Sequence, residues 1–289
     1  MISRFFKFIF KSIYGISAVL GFLIILGGLF ALYVSSQTPK KPQVHEGTLL
    51  TLTLQGDFPD YVQKNPIKRL LKGEENSLYE LITTLDKASK DSRIKGLVMN
   101  IKTPGLGLAQ IQEFRDAVLR FKAAGKSTLI YSDTYGEMNS ALILYYLASA
   151  FDEIWMQPIG MVNISGLALE QPYAREALDK IGVLPEFGGL KEYKSFIEMY
   201  TNTGPSEPAK EASQAMLDSI TSQIVETLAK SRKMTPDQVL DVINKSPYTD
   251  LEARDLKLVD NLIHRQSIKP VLEARYGEKS PVKFITAEE

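Results

Sequence analysis

The longest apolar run in the chain lies near its N-terminus, where Ile13 to Val34 contains no charged residue. At ~1.5 Å per helical residue, roughly 22 residues reach ~33 Å, enough to cross a hydrocarbon core of ~30 Å. Tyr14 and Tyr33 stand near the two ends, where aromatic side chains favour the interface. Arg4, Lys7 and Lys11 precede the run, and no basic residue follows until Lys40 and Lys41. The positive-inside rule therefore predicts a cytoplasmic N-terminus over 1–12, a transmembrane anchor over 13–34 and an exported remainder. A cleaved signal peptide is the competing reading. Against it, the run is longer than a signal h-region and no clean Ala-x-Ala follows. Residues 35–47, with Pro39, Pro42 and the two lysines, read as a linker.

From Thr48 onward, short apolar runs alternate with helical spacing. Thr48–Gln55 and Ile94–Ile101 predict buried strands, as do Ser127–Tyr131, Glu153–Met156 and Met161–Leu169. Between them, Leu78, Leu81, Ile82, Leu85 and Ala88 mark one helix face, and Leu108, Ile111, Phe114, Val118 and Phe121 another. Met138–Ser149 is apolar nearly all round and predicts a buried helix; Pro172–Ile181 predicts a further one. Alternation of this kind implies parallel strands joined by crossover helices, hence an α/β class. Past Lys194 the pattern turns helical. Ala209, Ala212, Met216, Ile220, Ile224 and Leu228 fall on one face of a segment over Glu207–Lys230. Thr235-Pro-Asp-Gln then carries the signature of a new helix start. Asp250–Leu262 is the last recognisable element, and from Gln266 the charged tail predicts none.

Composition narrows the chemistry. With 34 basic and 34 acidic residues among 289, the formal net charge is +0, which argues against a nucleic-acid surface. Without cysteine, thiolate nucleophiles, disulfides and cysteine–zinc sites are excluded for this chain. The two histidines, His45 and His264, stand in no catalytic setting, which argues against a Ser-His-Asp site and a histidine metal centre. Tyr193-Lys194-Ser195 is different. It follows an apolar run ended by Gly188-Gly189 and opens a helical segment. A lysine desolvated or faced by another cation there can lose its proton and act as base to a serine hydroxyl.

Several segments, in this order and spacing, resemble the N-terminal half of the long-form signal peptide peptidase A (protease IV) family. They are Leu-Val-Met-Asn-Ile-Lys (97–102), Tyr-Tyr-Leu-Ala-Ser-Ala-Phe-Asp-Glu-Ile-Trp (145–155), Gly-Met-Val-Asn-Ile-Ser-Gly (160–166), Tyr-Lys-Ser (193–195) and Leu-Val-Asp (258–260). The resemblance implies ClpP/crotonase-like βα repeats over 48–265, a helical C-terminal extension, and a tail over 266–289 leading to a second domain. It also implies serine endopeptidase activity with a Ser-Lys dyad and no cofactor. Lys194 would be the general base, and then the proton donor to the leaving amine, its pKa lowered by burial near the sheet edge.

The nucleophile does not carry over. The family's serine lies in an Ala-Ser-Gly-Gly-Tyr sequence of the C-terminal domain, and aligning Tyr146 with that tyrosine puts Ile143 at the serine. The Pro-Gly-Gly that supplies oxyanion-hole amides is Pro104-Gly105-Leu106 here. A glycine usual two residues before the tyrosine is Lys191, and a Pro-Phe usual after the glutamate is Met199-Tyr200. Ser140 and Ser195 are weaker candidates, Ser140 as a helix cap and Ser195 as too close to Lys194 to align. The implied partners are signal peptides or other extended peptides, further copies of the chain in a homo-oligomer, and a C-terminal domain carrying the serine. The implied location is the bacterial inner membrane, with the bulk on the periplasmic side. The alternatives are a non-catalytic membrane scaffold of the same fold and the inert product of a truncated gene; a crotonase-type acyl-CoA enzyme is disfavoured by the anchor.

Overall fold

A computed structural model describes residues 2–36, 44–62, 77–188, 191–277 and 282–286. Contacts divide the chain into two compact units, Met1–Gln43 and Val44–Glu289. The first contains α1 (Ile2–Ser36). Its stretch Tyr14–Tyr33 has a mean hydropathy of 2.4 and is long and apolar enough to cross a membrane. Residues 37–43 of the expected linker lie outside the described residues.

The second unit is built on a six-stranded parallel sheet. Its strands are β1 (Thr48–Gly56), β2 (Ile94–Pro104), β3 (Ser127–Ser132), β4 (Glu153–Met156), β7 (Asn261–Leu262) and β8 (Phe284–Thr286), in spatial order β7-β4-β3-β2-β1-β8. The α/β class with a parallel sheet is thus the observed one. Parallel neighbours need crossovers. The main ones are α2 (Leu78–Lys90) and α3 (Leu108–Ala123), followed by the short α4 (Leu142–Ala148). The buried residues of α2 are Leu78, Leu81, Ile82, Leu85 and Ala88, the face that the spacing predicts. Ser77 caps that helix by accepting the Glu80 N–H at 3.2 Å.

Strand side chains alternate between two cores. On one face Leu50, Leu52, Leu54, Leu97, Met99, Ile101, Ile130 and Ile154 pack beneath the crossover helices. On the other, Leu49, Leu129, Tyr131 and Trp155 pack with Leu272 of α10 (Arg265–Tyr276) and with Val282. This second layer corrects the expectation of a tail without elements after Gln266. Helix α10 is locked down by Arg275, whose guanidinium lies 5.4 Å from the Trp155 ring centre and hydrogen-bonds Glu153, while Tyr276 Oη donates to Ser127 Oγ at 3.0 Å. Its pattern is hard to read because Pro270 lies inside it and Leu272 alone is fully buried.

Two further elements are shorter than expected. Helix α4 begins at Leu142, and Met138 is 92% exposed in the loop before it. The strand expected over Met161–Leu169 is the two-residue β5 (Met161–Val162), paired antiparallel with β6 (Tyr248–Thr249). Beyond β5 the chain stays anchored in the larger core by buried Ile164 and then continues through α5 (Arg175–Lys180), a 3₁₀ turn (Ser195–Ile197) and α6 (Glu198–Thr201). Then come α7 (Glu207–Arg232), α8 (Pro236–Lys245) and α9 (Asp250–Asp255). The N-cap predicted at Thr235 is present on α8, with Thr235 Oγ1 accepting the Gln238 N–H at 3.2 Å, and Gln238 completes a capping box.

Candidate active site

Lys194 sits at the junction of a turn and the 3₁₀ segment, with φ −85° and ψ 64°. Its N–H donates to the carbonyl of Lys191 at 3.3 Å, closing the turn. Lys191 has φ +70°, the left-handed region that favours glycine. That explains why glycine would be the usual residue there. Lys194 itself is exposed, and among the described residues its ammonium has no hydrogen-bond or ion-pair partner. This corrects the expectation of a lysine buried near the sheet edge.

Neighbouring side chains hold the backbone of this turn. Tyr193 Oη donates to Glu211 Oε2 of α7 at 2.9 Å, and that carboxylate holds the Tyr193 phenol above its ordinary value. Glu198 is buried, and its two carboxylate oxygens accept from Ser206, one from the backbone N–H at 2.9 Å and one from the hydroxyl at 2.7 Å. Ser206 is also the N-cap of α7, accepting from the Ala209 N–H at 3.4 Å. The Ala174 N–H donates to the Met199 carbonyl at 2.7 Å, tying the start of α5 to α6. Around the turn Ile181, Leu184, Phe187, Tyr193 and Phe196 are exposed, and Phe187 and Phe196 lie against the Tyr200 ring at 5.6 and 6.2 Å. Glu198, Ser206 and Glu211 are not distinguished by sequence pattern. The only sequence trace is Ser206 before Glu-Pro, which reads as a helix start.

The other candidates stand on separate elements. Ile143 lies on α4, half-buried against the larger core. Ser140 borders that helix as expected: its oxygen accepts the Leu142 N–H at 3.3 Å while its hydroxyl donates to the Ser165 carbonyl. Ser195 opens the 3₁₀ turn directly after Lys194 and is half-buried. Gly105 follows β2, and its N–H donates to the Gly56 carbonyl at 2.9 Å. That amide is therefore already committed and unavailable to an oxyanion. His45 and His264 are both exposed, on a turn before β1 and at the N-terminus of α10.

Most segments of the resemblance prove to be architectural. Tyr145 Oη donates to the Leu258 carbonyl at 2.7 Å, and Asp260 Oδ2 accepts the Ile154 N–H at 2.7 Å, so 145–155 and 258–260 lock together. Arg232, at the end of α7, closes the lock by pairing with Asp260 at 2.8 Å and with the Lys257 carbonyl. The loop before α4 is held to β5 by Tyr135, whose N–H donates to the Met161 carbonyl at 2.8 Å and whose carbonyl accepts from Asn163 at 2.7 Å.

A parallel sheet with crossover helices packed on one face, and a lysine-bearing excursion between β5 and a long helix, places the chain in the α/β class. Within it, residues 120–277 match the model of peptidase family S49, and the chain belongs to that family. It is 30% identical over 288 residues to Protease 4 of Haemophilus influenzae, covering 91% of this chain and 45% of that protein. It is 25% identical over 246 residues to the chloroplastic serine protease SPPA of Arabidopsis thaliana, covering 85% and 35%. The chain thus spans less than half the length of these curated relatives. Among solved structures, a mutant of the 1510-N membrane-bound stomatin-specific protease aligns over 83% of this chain and 98% of that one, at 13% identity and a TM-score of 0.47.

Proposed function

We propose that this chain is the base-bearing part of a membrane-anchored Ser-Lys endopeptidase. Membership of family S49, together with an exposed lysine held on a hydrogen-bonded turn, is the observation that carries this reading. Lys194 takes the proton of a serine hydroxyl and returns it to the leaving amine. The serine comes from outside this chain's described residues, because the position aligned with it is Ile143, the Ser140 hydroxyl is engaged by the Ser165 carbonyl, and Ser195 adjoins Lys194 directly in the chain. A general base must be desolvated to work near neutral pH, and covering Lys194 by a serine-bearing domain, or by another copy of the chain, would do that. Exposed Ile181, Leu184, Phe187 and Phe196 suit such a covering surface, and equally suit extended apolar peptides such as cleaved signal peptides. Helix α1 is the anchor, with its N-terminus cytoplasmic and the bulk of the chain on the periplasmic side of the inner membrane.

The test is hydrolysis of an apolar peptide by the detergent-solubilised chain, alone and mixed with the serine-bearing half of a relative, with Lys194→Ala in parallel. Cleavage in the mixture alone, abolished by Lys194→Ala, is the expected result. Lysine-dependent cleavage by the chain alone would move the nucleophile to a serine within it. A folded but silent mixture would favour the non-catalytic scaffold.

A further inference from the structure

The turn carrying Lys194 has little packing of its own, since Glu192, Tyr193 and Lys194 are exposed and Glu198 is its first buried side chain. An exposed four-residue turn with a non-glycine residue at φ +70° would ordinarily sample several conformations. Here it is tied at two points to the same helix. Tyr193, just before Lys194, reaches Glu211; Glu198, just after the 3₁₀ segment, holds Ser206. Glu211 lies five residues beyond Ser206, the N-cap of α7, so the two ties stand roughly 7.5 Å apart along one rigid axis. At its far end α7 is itself fixed, by buried Ile224, Val225, Leu228 and Ala229 and by the Arg232–Asp260 pair. We infer that Tyr193 and Glu211 are positioning residues for Lys194, with the Glu198–Ser206 clamp completing a splint by which α7 fixes where the lysine stands.

This rests on the proposed role of Lys194. The chemistry is direct: a base effective in proton transfer must be within hydrogen-bond reach of the hydroxyl, and angular freedom at the preceding residue dilutes the productive geometry. The Tyr193 ring is 56% exposed, so its removal from Glu211 leaves no cavity and no buried polar group. Its effect is therefore on geometry and not on folding.

The experiment is steady-state peptide hydrolysis by the full chain mixed with the serine-bearing half, for Glu211→Ala, Tyr193→Phe, their double variant, Glu211→Gln and Lys194→Ala. Glu211→Ala and Tyr193→Phe are each expected to lower kcat about 5- to 10-fold, with KM within about twofold, as for loss of one ordinary hydrogen bond at an exposed site. Glu211→Gln keeps an acceptor for the phenol and is expected to retain most of kcat. The double variant is expected to be no worse than either single one, because both remove the same contact. Thermal unfolding of every variant should match that of the parent. Cleavage that needs Lys194 but is indifferent to Glu211→Ala and Tyr193→Phe would overturn the splint and leave the proposed function standing. Cleavage indifferent to Lys194→Ala, or none at all, would overturn both, since no base would then be there to position. A kcat loss as large in Glu211→Gln as in Glu211→Ala would assign the effect to the charge of Glu211 and also overturn the inference.

Discussion

At the scale of single residues, backbone conformation explains two positions that side-chain chemistry does not. Lys191 occupies φ +70° shortly before the proposed base. Lys191→Gly should be neutral or stabilising by up to about 1 kcal/mol, whereas the β-branched Lys191→Val should cost about 1–2 kcal/mol. Urea unfolding of the two variants checks the difference between them. Gly136, between β3 and α4, has φ +87°, and a Cβ there would stand 2.5 Å from the Asn139 carbonyl and 3.0 Å from both Ala141 Cβ and the Asn163 carbonyl. Gly136→Ala should therefore cost at least about 2 kcal/mol and loosen the loop that leads into Ser140 and Ile143. A Tm equal to the parent's would mean that this loop is not held as described. By contrast, Ser140 and Ser195 are ordinary: one borders a helix, the other opens a 3₁₀ turn.

At the scale of elements, α7 joins the core to the lysine turn. Arg232 holds its C-terminal end, with the guanidinium side chain only 8% exposed, hydrogen-bonded to Asp260 and to the Lys257 carbonyl. Removing one partner strands the other, so Arg232→Ala should cost about 2–4 kcal/mol in denaturant unfolding. If α7 is the splint, the same variant should also lower kcat in the mixed assay. The helices and strands with clean periodicity were legible in the sequence: α2 buries the five residues that its spacing marks, and β1 through β4 lie where the apolar runs fall. Elements held by a few specific contacts were not. The pattern of α10 is diluted by Pro270 and by a single fully buried leucine, and what fixes it is Arg275, on the Trp155 ring and on Glu153, 122 residues away in sequence. Met138–Ala141 reads as helix by hydrophobicity, yet hydrogen bonds to the β5 segment hold the adjoining backbone as a loop. Of the candidate site, Tyr193-Lys194-Ser195 could be read directly. Its ties to Glu211 and Ser206 could not, because a carboxylate and a serine on a helix carry no signal until the fold brings them to a tyrosine and a glutamate.

At the scale of the whole molecule, two buried phenols set an upper pH limit on the folded body. Tyr135 and Tyr145 pack edge-to-face with ring centres 5.9 Å apart, and burial pushes both above the ordinary 10.0. In the unfolded chain they ionise near pH 10, so above that pH the folded state holds more protons than the unfolded one. Stability is then intact below about pH 10 and falls above it, by about 1.4 kcal/mol per pH unit for each phenol. Urea midpoints measured at about pH 9 and about pH 11 should show the drop, and Tyr135→Phe should shrink it. The sheet itself also sets a schedule. β1 finds one neighbour, β2, soon after it, but its other neighbour is β8, and the Thr51 hydroxyl reaches the Ile285 carbonyl across 234 residues. During synthesis the chain therefore carries β1 as an open edge until the segment 234 residues further on has been made, an interval in which stray strands compete for the place that β8 will take. Synthesis and folding of this chain are thus timed against each other, and the strand that ends the wait is only three residues long.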